Sequence, residues 1–457
     1  MRFQTVHTPT SLTEGPISQA LISFALPLLL GNLFQQLYNT ADSLIVGNFL
    51  GSEALAAVSS SGNLIFLMVG LVNGVSMGAG VVIARYFGAK DYDRIQKTIH
   101  TLLAFGLVAG ALLTVVGVAL SPVMLRLMDT PETVLPDSIS YFRTYFTGSL
   151  AFVLYNICTG IMNAVGDSRR PLYYLIFSSL TNVVLDLLFV GVFHMGVWSA
   201  AAATAISQLV SMALCLLRLM RSERAYRVSL RKIRFDRRAL LEILQNGLPA
   251  GLQSVMYSLS NIIIQASVNG FGTDVMAAYT AYGKVDGMYW MVINAFGVAI
   301  TTFVGQNFGA RLYDRMKKSI NVCLGIAAAV TLLLSGVLMV VAEPLLGLFS
   351  DDAQVLEIGL SIVRLIVPTY ITYIFIEILS GAMRGAGDSL IPTIMTLTGV
   401  CLLRVFWVTV VVSAHHELNV LLLSYPITWI VTSGMFMVYY LRGRWLKRCI
   451  ALQNAEN

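Results

Sequence analysis

Long apolar stretches separated by short polar connectors set the pattern of this chain. A helix that crosses a bilayer needs about 20 mostly apolar residues. Stretches of that kind fall at 18–46, 54–83, 98–121, 137–163, 171–193, 197–220, 240–268, 275–304, 317–342, 355–382, 391–413 and 418–441, which predicts twelve transmembrane helices. The first 17 residues are polar and lack the basic, apolar and cleavage regions of a signal peptide. They are expected to stay as a cytoplasmic tail.

The basic residues orient these spans, because short cytoplasmic loops carry the excess of Lys and Arg. Arg85, Lys90, Arg94 and Lys97 follow span 2, Arg169 and Arg170 follow span 4, and Arg311, Arg315, Lys317 and Lys318 follow span 8. The connector after span 6 holds nine basic residues, and Arg442, Arg444, Lys447 and Arg448 lie in the tail. The alternate loops carry acids instead, among them Asp129, Glu132, Asp274, Asp351 and Glu417, with Arg126 the main exception. Both termini are therefore expected in the cytoplasm of a multi-pass protein of the cell membrane. The basic loops are explained as topology determinants, with no nucleic-acid partner and only the surrounding membrane lipid.

The chain also repeats itself at an offset of 221 residues. Phe87-Gly88-Ala89 returns as Phe308-Gly309-Ala310, and Gly166-Asp167-Ser168 returns as Gly387-Asp388-Ser389. Leu26-Pro27 returns as Leu248-Pro249 at an offset of 222. Six spans separate equivalent points, so both copies have the same orientation. Transporters with such parallel repeats bind substrate between the halves. The expected organisation is a tail at 1–17, a lobe of spans 1–6 at 18–220, a basic linker at 221–239, a lobe of spans 7–12 at 240–441 and a tail at 442–457, with a central cleft between the lobes. The repeated motifs in the short loops read as turns and helix caps.

Composition narrows the function. Hydrophobic residues make up 56% of the 457 positions and charged residues 12%, about half the share of an ordinary soluble domain. The mean hydropathy is +0.75. A soluble enzyme, a disordered chain and a nucleic-acid binder are excluded. The net charge of +6 adds nothing beyond the loop asymmetry. Cys158, Cys215, Cys323, Cys401 and Cys449 show no CxxC spacing, so neither a disulfide framework nor a metal site is expected from them. No nucleotide-binding loop, HExxH or GxSxG occurs, and the five His are scattered. The reading is of a secondary transporter, not an enzyme, with no cofactor. Its energy comes from an ion gradient or from the substrate's own gradient.

Polar residues inside the spans are the candidate chemistry, since acids facing lipid are expensive. In span 1, Asn32, Gln35 or Gln36, Asn39 and Asp42 share one helical face. In span 5, Ser178, Asn182 and Asp186 share another. Asp42 and Asp186 with nearby amide and hydroxyl oxygens suit Na⁺, and two crowded, poorly solvated carboxylates equally favour holding a proton. The alternative is a pair of hydrogen-bonded acids that join helices. The equivalents in the second half are Ile264 and Trp407, so the acidic pair belongs to the first half, although Asn261 matches Asn39.

The second half carries other charges. Glu377 in span 10 stands where the first half has Asn156, Lys284 and Asp286 lie in span 8, and Arg404 lies in span 11. Glu377 is expected either to pair with Arg404 or Lys284 or to bind a cationic substrate. Asp286 is expected to find partners on other helices rather than at Lys284. Met and aromatic residues, including Tyr282, Trp290, Tyr370, Tyr373 and Trp429, suit bulky apolar cations or ordinary helix packing. Gln35, Asn156, Tyr282, Asp286, Glu377 and Arg404 are therefore the candidate cleft residues. Pro27 removes one backbone hydrogen bond from span 1 and kinks it.

Two six-helix halves, the Leu-Pro of spans 1 and 7, Arg85-Tyr86-Phe87-Gly88-Ala89, Gly381-Ala382-Met383-Arg384-Gly385-Ala386-Gly387-Asp388-Ser389 and Asn182-x-x-x-Asp186 together resemble the multidrug and toxic compound extrusion (MATE) family. The resemblance covers essentially the whole chain. It implies export of drugs, often organic cations, by antiport against H⁺ or Na⁺. Span 7 lacks the internal acid of the NorM-like branch, with Glu242 only at its entry, so the chain resembles the DinF-like branch more. That resemblance implies a coupling site of Asp42, Asn182 and Asp186 with Thr204 and Asn39 beside them, and bending at Pro27 when the cation binds. A lipid-linked oligosaccharide flippase of the wider superfamily is the alternative, although its pyrophosphate substrates call for Lys and Arg where this chain has acids. A monomer suffices for this architecture.

The charge asymmetry is checked by cysteine labelling. Asp129→Cys is expected to react only from outside and Leu230→Cys only from the cytoplasm, and labelling of both from one side overturns the topology.

Overall fold

The computed structural model describes residues 12–127 and 130–456. Asp129, His7 and most of the expected 1–17 tail lie outside the described residues. Every element among the described residues is helical. Twelve long segments follow one another: α1 Ile17–Leu50, α2 Ser52–Ala89, α3 Tyr92–Leu127, α4 Leu135–Thr147 continued by Ser149–Ala164, α5 Arg169–Val192, α6 Trp198–Met220, α7 Arg237–Asn269, α8 Thr273–Gly309, α9 Tyr313–Gly347, α10 Ala353–Gly385, α11 Leu390–Val412 and α12 Leu418–Leu441. A further helix, α13 Arg444–Glu456, lies in the expected tail.

Among the described residues nine of these are long and apolar enough to cross a membrane, ten when the two parts of α4 count as one span. The other two, α2 and α7, are 38 and 33 residues long. Leu112, Val115, Leu333 and Val340 are more than 60% exposed on α3 and α9. Water would penalise that surface, whereas hydrocarbon does not.

Two expectations change in detail. Span 4 is not one straight helix but bends by 46° at Gly148. Spans 5 and 11 are not uniformly α-helical: a π-helical turn, Leu187–Val192, follows directly on Asp186, and α11 contains two, Leu397–Leu402 and Trp407–Val412. Such turns insert an extra residue per turn and re-aim the side chains beside them.

The repeated motifs are helix ends. Lys90 and Arg311 adopt φ of 57° and 59°, and Gly166 and Gly387 adopt 88° and 98°. At each, the next residue's N–H reaches back to a carbonyl of the preceding helix: Asp91 to Tyr86 at 3.0 Å, Leu312 to Asn307 at 2.8 Å, Asp167 to Met162 at 2.9 Å and Asp388 to Met383 at 3.0 Å. These are the bonds of a left-handed C-terminal cap. The sequence repeat therefore preserves backbone geometry.

The chain separates into two compact units. Unit 1 includes Leu26–Gly251, and unit 2 comprises Leu12–Ala25 with Leu252–Asn457. The core of unit 1 is built from Ile83, Ile95, Ile99, Val153, Ile157, Cys158 and Ile161. The basic linker closes onto it through Tyr226 and Val228, which are buried. Gln96 donates to the carbonyls of Ala225 and Arg227, Ser229 N–H donates to His100 Nε2 at 3.1 Å, and Asp236 N–H donates to Thr101 Oγ1 at 3.0 Å. The core of unit 2 includes Ile300, Phe303, Phe308, Ile320, Ile362, Ile378 and Phe436. Residues that lead into α1 close onto this unit. Leu12 N–H donates to Gln306 Oε1 at 3.2 Å, and Arg315 donates to the carbonyls of Glu14 and Gly15, both at 2.8 Å. The helix α13 docks on the same unit through buried Trp445 and through Gln453, whose Oε1 accepts from Tyr313 at 3.0 Å.

The left-handed caps differ in what a side chain costs. Gly166→Ala and Gly387→Ala are each expected to destabilise the protein by about 1–2 kcal/mol, while Lys90→Gly costs nothing at that backbone position. Thermal melting in detergent reads this, and equal melting of all three variants overturns it.

Candidate functional site

On α1 the 3.6-residue period turns Asp42 inward, and it is 9% exposed. On α5, Ser178, Asn182 and Asp186 recur every four residues, and the last two are fully buried. The Asp42 and Asp186 side chains come within hydrogen-bonding reach of each other. Oδ1 of each has no hydrogen-bond partner among the described residues. With its amide turned to satisfy both ends, Asn182 donates to Asp186 Oδ2 at 3.2 Å and accepts from the Thr204 N–H at 3.3 Å. Thr204 thus lies against Asn182. Ser178 donates to the Ser207 carbonyl at 2.8 Å, and Ser207 donates to the Thr204 carbonyl at 2.8 Å, which locks α5 to α6 at this level.

Sequence reasoning missed three neighbours. The Tyr38 hydroxyl meets the side chains of Gln35 and Gln208 and lies in the electrostatic field of both acids. Tyr141, buried on α4, lies in the same field. Tyr38 stands four residues before Asp42 and Gln208 four after Thr204, so helical spacing alone pointed to both. Asn39 and Gln35 are exposed, and Asn156 donates to its own Phe152 carbonyl at 2.9 Å. Pro27 lies inside α1, which runs through it without interruption.

Unit 2 gathers its charges differently. Asp286 accepts from Trp290 Nε1 at 2.7 Å, from the Tyr282 hydroxyl at 3.1 Å and from the Tyr370 hydroxyl. Tyr370 stacks on Tyr289 with centroids 3.9 Å apart, and Trp429 meets Trp290, Tyr370, Tyr373 and Tyr425 within 6.3 Å. Asp286 thus has one partner on another helix and two on its own.

Glu377 pairs with neither Arg404 nor Lys284. Its ion-pair partner is Arg384 at 3.9 Å, and Tyr373 donates to it at 3.4 Å. Arg384 follows Glu377 by seven residues, two turns along the same helix face, whereas Arg404 is held elsewhere and Lys284 is exposed. Gly297 makes room for this acid, since a Cβ there would stand 2.1 Å from Glu377 Oε1. The Arg404 guanidinium lies 4.4 Å over the Tyr425 ring and donates to Thr428 Oγ1 at 3.3 Å. All five cysteines are buried and free. Among the described residues no three His, Cys, Asp or Glu gather to hold a metal ion.

Long apolar helices in a repeated order, with acids buried among them, fit the multi-pass membrane class of secondary transporters. The MatE family model matches residues 27–188 and 249–410, and the chain belongs to that family. The probable multidrug resistance protein YoeA of Bacillus subtilis is 30% identical over 437 residues, 94% of each chain. The multidrug export protein MepA of Staphylococcus aureus is 22% identical over 437 residues, 94% of this chain and 95% of its own. The solved structure of a MOP superfamily transporter from Pyrococcus furiosus shares the fold, with a TM-score of 0.89 at 24% identity over 98% of this chain and 99% of its own.

The Glu377–Arg384 pair makes a prediction for stability. Arg384→Ala strands a partly buried acid and is expected to cost about 2–3 kcal/mol, while the double variant Glu377→Gln/Arg384→Gln costs much less. Denaturation of the purified variants decides it, and a double variant no more stable than Arg384→Ala shows that the charges do not compensate each other.

Proposed function

We propose that this protein is an antiporter that exports amphipathic, cationic organic compounds from the cell against H⁺ or Na⁺, by alternating access. The observation that carries this reading is the acid pair Asp42–Asp186, buried, within reach of each other and each with an oxygen that has no partner among the described residues. Two carboxylates so close in a poorly hydrated interior need a proton or a cation between them. Asn182 and Thr204 add neutral oxygens suited to Na⁺, and a proton needs only the acids. In the sequence this resembles the DinF-like branch, with the first-half lobe at 18–220 as the coupling lobe and the second, at 240–441, as the main source of substrate contacts.

Loading the pair removes or offsets buried negative charge. That changes which arrangement of α1 the lobe tolerates, and Pro27 is the place where α1 bends most cheaply. Coupling follows if the cation binds one arrangement more tightly than the other. A cleft near Asp286 and Glu377 supplies negative charge for the substrate, and aromatic rings supply a wall for its apolar part. The protein works as a monomer in the cell membrane with both termini cytoplasmic.

Vesicle transport tests the proposal. Asp42→Asn and Asp186→Asn are each expected to abolish gradient-driven ethidium export while leaving insertion and folding intact. Collapsing the proton and sodium gradients separately identifies the ion. Full antiport by the double Asn variant overturns the coupling role. Movement of lipid-linked sugars alone overturns the substrate class in favour of a flippase.

A further inference from the structure

Unit 2 holds a second pair of charges, and they have opposite signs. Arg404 is 3% exposed on a short α-helical segment, Leu403–Phe406, between the two π-helical turns of α11. Its guanidinium carries five N–H donors. One donates to Thr428, the face lies on Tyr425, and Nε has no partner among the described residues. Asp286 is close enough for Arg404 to act on it electrostatically. No ion pair between them is formed among the described residues, because three neutral donors, Tyr282, Trp290 and Tyr370, already occupy the Asp286 oxygens.

A buried guanidinium without a counter-ion is costly, and a carboxylate with only neutral donors keeps its full charge. The two charges therefore form a dipole within one aromatic cluster. Tyr425, Trp290 and Asp286 are each only partly buried, so the cluster has an open side. The first half has Val183 and Ile65 at the equivalent positions, so the repeat does not require either charge.

We propose that Arg404 and Asp286 form a two-ended recognition site for zwitterionic aromatic compounds. Arg404 takes the carboxylate through its planar fork of donors, and Asp286 draws the ammonium or iminium end. Tyr425 and Trp290, both partly buried, face the flat ring system between them, with buried Trp429 packed behind. This rests on the reading of unit 2 as the source of substrate contacts, and it makes Arg404 a specificity residue. Cations that lack a carboxylate bind without using it.

The probe is a matched pair of dyes, a rhodamine with a free benzoate and its methyl ester. Binding to purified protein is followed by fluorescence polarisation, with thermal melting as the check on folding. Arg404→Gln is expected to weaken binding of the acid about tenfold, about 1.4 kcal/mol, with little change for the ester. Asp286→Asn weakens both. Arg404→Lys keeps the charge but not the fork, so it recovers part of the acid's affinity and serves if the Gln variant does not fold. An acid-to-ester affinity ratio that is unchanged in a folded Arg404 variant overturns the proposal, as does a wild type that binds the ester but not the acid. Failure of the ester alone, with Arg404-dependent binding of the acid, supports this site and overturns only the cationic substrate class.

Discussion

Asp42 and Asp186 point at each other from two helices, in a protein whose outer surface suits hydrocarbon. Neither can shed its charge into water, and neither has a basic partner in reach of an ion pair among the described residues. Their proximity is tolerable only when something positive lies between them. Much of the surrounding architecture serves that requirement. A π-helical turn follows directly on Asp186, Asn182 links its carboxylate to the Thr204 backbone, and the Ser178 hydroxyl holds α5 to α6 at the Ser207 carbonyl.

The second unit solves the same problem by the opposite means. Asp286 is saturated with neutral hydrogen-bond donors, and Glu377 has a guanidinium beside it. Both find their partners within the fold itself. Acids facing each other and acids already supplied with donors need different environments, and the two halves of one repeat have diverged to supply them. Ile264 and Trp407 stand where the acidic pair would recur, so unit 2 carries no second copy of it.

Much of this was legible in the sequence, because membrane helices announce themselves by length and apolarity, and a buried acid on a polar stripe has one tolerable direction. Asn182 and Asp186, four residues apart, could only face together. The same spacing pointed to Tyr38 and Gln208, but a tyrosine and a glutamine carry no charge to draw attention. The ion pair of Glu377 with Arg384, rather than with Arg404 or Lys284, is hidden in the sequence because Arg384 lies in a repeated turn motif. The π-helical turns had no signature at all, since they arise from a one-residue shift in backbone hydrogen bonding that any apolar sequence permits. The clamps on the lead-in segments were equally hidden, because each depends on single bonds between positions far apart in the chain.

Those clamps bear on how such a protein arises. The segment that enters α1 is fastened into unit 2, and the segment that enters α7 is fastened into unit 1. Each half thus completes itself with a lead-in that belongs, in the repeat, to the other. A half-length chain with one copy of the repeat would carry a lead-in with no place in its own unit and would need a second molecule to exchange it with. Two copies joined in one chain make that exchange internal and permanent. The join also frees each copy from having to match its twin, so one half can keep a pair of acids and the other opposite charges.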